Sequence, residues 1–349
     1  MTHDLFEEGG PHRIQRRGDN EYTMSIGIPT DDEGRLAREC KAADCSPGYF
    51  KVMPGTGIVE GQEIAYCPYC RHSDRPRDFV TQEQVRYAKD MAIEEAKQGV
   101  NQMLAKALGL GTSGRRSMGG GLVNLEISMK TLPRRPVRRP YEEDVRRDVV
   151  CPHCSLDHSV YGLATWCPDC GEDIFLTHVA TELSVIRSMV ADVPRRREQL
   201  GIRAAAKDLE NSLEDTVSIC EATVRHQVRR HMVASGKASD DIDKFFKRVG
   251  NAFQNVDRTE QILREHFNVD AFSSLALEEK QLLEETFAKR HLITHNLGVI
   301  DRKYLENARN AQEEGREVLV NESDILSAIE LLTRVFADIH KHLFRDGGA

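Results

Sequence analysis

Between residues 324 and 343 the apolar positions Ile325, Ile329, Leu332, Phe336, Ile339 and Leu343 follow one another at steps of four, three, four, three and four. That is the spacing of a single buried helix face in a bundle. The same rhythm runs upstream. Leu209, Leu213, Val217, Cys220 and Val224 mark a long helix over 202–234, and Cys220, on that face, is expected to be a core thiol. Leu275, Leu282, Leu283, Phe287, Ile293 and Leu297 mark another, which Gly298 stops. Residues 178–193, 240–253 and 259–267 read as further helices, and no convincing strand pattern follows residue 177. The predicted fold is therefore multi-domain: two small β zinc ribbons followed by an all-α helical bundle over residues 178–345.

The first half of the chain carries a different pattern. Residues 1–25 are polar without helical or strand period and read as a mobile tail. Tyr49–Val52 and Glu63–Tyr66 read as short strands around the turn Pro54-Gly55-Thr56-Gly57. Cys40, Cys45, Cys67 and Cys70 lie around them as two hooks, which makes residues 26–110 a first ribbon with a following helix. That helix starts at Thr81, where Gln84 completes a capping box. It is expected to pack on the ribbon through Val85, Ile93, Val100 and Leu104. Residues 111–147 form a Gly-, Arg- and Pro-rich linker with one possible strand in Leu122–Ser128. Cys151, Cys154, Cys167 and Cys170 form a second pair of hooks over 148–177, with Val160-Tyr161 and Ala164–Trp166 as its strands.

Two CxxC-type hooks joined by a hairpin satisfy a tetrahedral structural metal site, so two structural zinc ions per chain are expected. Each has a full thiolate shell and no open position for catalysis. Of nine cysteines eight fall in this pattern, which argues against a disulfide scaffold. The 349 residues carry a net charge of −8, so any nucleic-acid contact must be local. One candidate is the basic run Arg134, Arg135, Arg138 and Arg139, which suits a phosphate backbone or an acidic protein surface. No stretch nears eighteen consecutive apolar residues and the first residues have no apolar core of a signal peptide. A cytoplasmic protein without membrane contact is the expectation.

The helix that ends at Gly298 carries Arg290, His291 and His295. Arginine holds phosphate in a planar fork, and histidine gives or takes a proton near neutral pH. On an ideal helix Arg290 and His295 stand about 140° apart, whereas His291 and His295 share a face.

Arg, a polar residue, three residues and His resembles the signature of HEPN-superfamily ribonucleases, with His291 at the polar position that many active relatives fill with Asn. The longer run from Arg290 to Leu305 (RHLITHNLGVIDRKYL) is similar to the helix and turn that carry it in many HEPN-like bacterial proteins. A family of bacterial proteins with paired zinc ribbons ahead of such a domain has the same layout. The resemblance implies a metal-independent endoribonuclease that leaves 2′,3′-cyclic phosphate ends, with a place in phage defence or a toxin-like system. Catalysis would fall to Arg290, His291 and His295, and phosphate binding to Arg290 and Asn296. RNA would be the partner, and a homodimer through the helical domain would bring two motifs to one cleft. The ribbons, or the Arg134–Arg139 arm, would recognise substrate or a protein. Two other readings stay open: a catalytically silent RNA or nucleotide sensor, and a zinc-ribbon adaptor between proteins.

Overall fold

In the computed structural model, residues 6, 9, 12–18, 21–110, 115–118, 125–128, 146–306 and 313–344 are described. The chain divides into two compact units, residues 1–172 and 173–349. The Arg134–Arg139 arm and most of the linker around it lie outside the described residues.

The first unit is built on a four-stranded antiparallel sheet of β3 (Leu36–Glu39), β4 (Tyr49–Val52), β10 (Asp157–Val160) and β9 (Arg147–Val150), in that order. The two cysteine hairpins therefore share one sheet instead of forming two independent ribbons. Phe50, Lys51 and Val52 lie opposite Val160, Ser159 and His158. At the flanks, Leu36 opposite Val52 answers to Arg147 opposite Val160, and Glu39 opposite Tyr49 answers to Val150 opposite Asp157. The register thus maps onto itself under a pseudo-twofold axis through the Lys51–Ser159 pair.

Alternation along these strands gives the sheet two faces of opposite character. Phe50, Val149, Val160 and His158 are buried on one, with Phe79 packed edge-on against Phe50. Burial pushes the His158 imidazole down to about 4, so it is neutral in the core. The other face carries a buried ion network. Lys51 Nζ meets Asp31 Oδ2 at 2.9 Å, Arg35 forks onto Asp157 at 2.9 and 3.2 Å, and Ser159 donates to Asp148.

The strands also differ locally from the periodic reading. Ala65–Tyr66 (β5) pairs with Ser73–Asp74 (β6), and Arg147–Val150 with Asp157–Val160, so the hooks at Cys67–Cys70 and Cys151–Cys154 sit at hairpin tips. Within the segment read as lacking any period, Gln15–Gly18 (β1) and Glu21–Thr23 (β2) pair. Arg115–Met118 (β7) and Leu125–Ser128 (β8) form another hairpin, which includes the anticipated linker strand. Helix α1 (Gln82–Ala107) begins at the expected Thr81–Gln84 capping box, and Gln84 Nε2 donates to the Ala37 carbonyl at 2.9 Å. The apolar stripe expected to pack on the ribbon is only partly covered. Val85, Ile93, Val100, Leu104 and Leu108 stay between 39% and 52% exposed.

The second unit is helical: α2 (Phe175–Leu200), α3 (Ile202–Ala234), α4 (Ser239–Val249), α5 (Val256–Phe267), α6 (Leu277–Asn296), the short α7 (Arg302–Leu305) and α8 (Glu322–Leu343). Among the described residues no helix is long and apolar enough to cross a membrane. Gly201, at φ 93°, makes the reversal between α2 and α3 that an L side chain would resist. The predicted stripes on α3 and α8 are the core: Leu213, Val217, Val224, Ile325, Ile329, Leu332 and Ile339 are buried together, and Cys220 with them. Asp173, ahead of α2, accepts from the Phe175 N–H and faces Arg230 on α3 and His340 on α8. Burial works against its charge, but these partners outweigh it and hold its pKa at about 2.

Asp31→Asn should expose the worth of the ion network, because it leaves the Lys51 ammonium buried without its counter-charge. Breaking such a pair costs about 3–5 kcal/mol. Burial opposes the Asp31 carboxylate, yet Lys51, the Arg35 N–H and Arg146 outweigh it and lower its pKa. Its contribution is therefore full above the unfolded-state value and fades as pH falls through the lowered one. Denaturant melts of the parent and Asp31→Asn at pH 7 and pH 3 should show the gap between them narrowing at the lower pH.

Candidate functional site

Two cysteine groups and one cavity hold the candidate chemistry. Cys40, Cys45, Cys67 and Cys70 form one group and Cys151, Cys154, Cys167 and Cys170 the other, each with its ligand atoms within 4.8 Å of one another. Sulfur separations of 3.7 and 3.5 Å in the first group and 3.8 and 3.5 Å in the second fit four thiolates around one ion. A zinc–sulfur bond of 2.3 Å places tetrahedral ligands about 3.8 Å apart. Burial pushes the thiols of Cys45 and Cys170 up to about 12 and raises Cys67 and Cys167 too. Four thiolates this close coexist around a shared cation. His72, His153 and His158 stand outside both groups.

Local backbone explains the hooks. Tyr69 and His153 direct N–H groups at the sulfurs of Cys67 and Cys151, both at 3.4 Å. Arg71, Ser155 and Gly171, each just past a hook, take left-handed φ of 61°, 64° and 69°. The groups also interlock. The Tyr66 N–H donates to the Pro168 carbonyl at 2.7 Å, and the Trp166 N–H to the Pro68 carbonyl at 3.1 Å. The Arg71 guanidinium covers the Trp166 ring at 4.3 Å, while Gly171 leaves room for the Tyr66 ring, which a Cβ would meet at 2.9 Å.

In the helical unit, α6 buries two sides. Leu283, Phe287 and Ile293 enter the main core, and Leu292 joins Ile300 and Tyr304 in a smaller cluster. Leu297, expected on the buried face, is instead 87% exposed and ends the helix in a left-handed conformation, φ 52°. The remaining arc, with Glu284, Ala288, His291 and His295, opens onto a cavity of about 610 Å³. Arg290 lines it as well, so the 140° of the ideal helix does not keep the motif residues from one space within a single chain. Asn251, Gln254 and the first turn of α5 also line it, as do Asp301, Lys303 and Tyr304.

The His291 and His295 rings lie 4.7 Å apart. Burial lowers the His291 pKa, with His295, Lys303 and Arg290 adding to it against the pull of Asp301. Arg290 Nη1 donates to Gln254 Oε1 at 2.9 Å. Asn296 does not line the cavity: its amide donates to the Val299 carbonyl at 2.6 Å, closing the turn after α6. Thr294 bonds Glu214 and the Arg290 carbonyl, a structural place. The sequence reading missed Gln254, Asn251 and Asn255. Asn255 had a visible signal as an N-cap, since its side chain accepts the Arg258 N–H; Gln254 had none.

No known family model, curated protein or solved structure matches this chain.

The interlock makes each metal group depend on the other. Cys67→Ser should therefore lower metal content from two ions per chain to below one, not to one. Elemental analysis of the purified variant beside the parent checks this.

Proposed function

We propose that this protein is a metal-independent endoribonuclease of HEPN type whose N-terminal unit carries two structural zinc ions. The observation that carries the reading is the convergence of Arg290, His291 and His295 on one cavity. An arginine and two histidines around one space supply what phosphodiester cleavage needs: a fork for the non-bridging oxygens, a base and an acid. His291, whose pKa is lowered, takes the proton of the ribose 2′-OH. The 2′ oxygen attacks phosphorus, the bond to the 5′ oxygen breaks, and His295 gives that oxygen a proton. The products carry a 2′,3′-cyclic phosphate and a 5′-OH. Arg290 holds the charge that builds on the phosphoryl oxygens. The four-thiolate shells support zinc in a structural role, because they leave no position for a water ligand.

A homodimer through the helical unit belongs to this reading. Val299 pairs with Glu317, and the Val318 N–H donates to Gly298. Leu297 and Leu319 flank that pairing, 87% and 71% exposed, beside the end of α6. We assign this patch to the partner copy. Light scattering should find a dimer for the parent and a monomer for the double variant Leu297→Asp, Leu319→Asp.

Mixed RNA incubated with EDTA tests the activity. The parent should cut it and leave cyclic phosphate ends, detectable by mass. Loss of a positioned acid–base group costs about a hundred- to ten-thousand-fold, so His295→Ala should lose most cleavage. Arg290→Lys should fail too, because an ammonium lacks the fork. Cleavage should fall as pH drops through the lowered His291 value. Lys303→Gln removes a neighbouring charge that lowers it, and should move the acid limb of the pH–rate profile upward. Binding of RNA without cleavage would point to a sensor instead.

A further inference from the structure

We propose that Gln254, held by Glu221, is a positioning residue that turns the Nε–Nη2 edge of Arg290 toward a phosphodiester in the cavity. The proposal rests on reading that cavity as a phosphate site. Gln254 ends the short 3₁₀ turn Ala252–Gln254 that precedes α5, facing α3 on one side and α6 on the other. Its Nε2 donates to Glu221 Oε2 at 2.6 Å. An ionised carboxylate only accepts, so the amide nitrogen belongs on that side and the amide oxygen faces Arg290. That oxygen takes the Nη1 hydrogen of Arg290 at 2.9 Å.

The consequence lies in the geometry of the guanidinium. Nη1 is on the side of Cδ, so engaging it leaves the opposite edge, where Nε–H and one Nη2–H run parallel. Such an edge matches two oxygens of a phosphate. Arg290 Nε is buried and has no hydrogen-bond partner among the described residues. A donor left so is costly unless a ligand or water completes it.

A purely structural arginine would neutralise its charge on a carboxylate. The neighbouring Lys289 does this, with Asp324 at 2.8 Å and Glu285 at 3.9 Å. Arg290 has no ion pair among the described residues, although Glu284, Glu285 and Asp301 line the same cavity. Its partner is a neutral amide, and the carboxylate that fixes that amide stands one hydrogen bond further back. The arginine is thereby oriented with no carboxylate paired to it among the described residues.

An oligonucleotide lacking every 2′-OH is an uncleavable probe for this arrangement in the full chain. Gln254→Met keeps the length of the side chain and removes the amide. It should weaken binding about tenfold, and should add nothing on an Arg290→Ala background, because it acts through Arg290. Equal binding by Gln254→Met and the parent overturns the proposal. So does the same loss on the Arg290→Ala background, which is what a general folding defect would give, and so does a parent that binds no oligonucleotide. A parent that binds, with the non-additive loss, but does not cut the ribose form supports the positioning role while removing the ribonuclease reading.

Discussion

The first unit depends on the antiparallel pairing of β4 with β10. Each strand is four residues long, too short to hold a hairpin in water by itself. Joined, they make a sheet with an apolar face around Phe50 and Val160 and a charged face around Lys51 and Asp157. A lysine in that position is tolerable only because Asp31 answers it. One hook of each cysteine group hangs from an outer hairpin of this sheet, and the reciprocal hydrogen bonds through Pro68 and Pro168 tie the two groups together.

In the helical unit the corresponding constraint is that α6 is gripped on two sides. Its main-core contacts and the Leu292–Ile300–Tyr304 cluster fix its rotation. The arc left over faces the cavity, so the orientation of His291 and His295 follows from apolar packing elsewhere on the same helix. Ala288, small and between Glu284 and His291, keeps the middle of that arc open. Polar chemistry is thus positioned by residues that take no part in it.

The helices were legible because their stripes are long: six apolar positions on α8 leave little choice of fold. The cysteine groups were legible because thiolate spacing is a local signal. Sheet pairing was not, since four-residue strands more than a hundred positions apart carry no shared period. Local spacing placed strands in 63–66 and 160–166, whereas pairing across the hooks decided which residues were extended. The motif triad was legible as residue types. An ideal helix made Arg290 and His295 diverge, because it ignores how far side chains reach and how wide the cavity is. Gln254 could not be read at all: its importance comes from being between Glu221 and Arg290, which are far apart in the chain.

The pseudo-twofold sheet has a consequence for how the chain is made. The half that contains β3 and β4 leaves the ribosome first, and its partner strands follow only after α1 and the linker. Synthesis proceeds at about 5–20 residues per second, so the hundred or so residues between them take roughly 5–20 s. Throughout that interval β4 is an unpaired edge and the first thiols await the second half of their scaffold. Ring closure over so long a segment is entropically forgiving, since doubling it would cost only about 0.6 kcal/mol more. Delay, more than free energy, is what a longer linker would add.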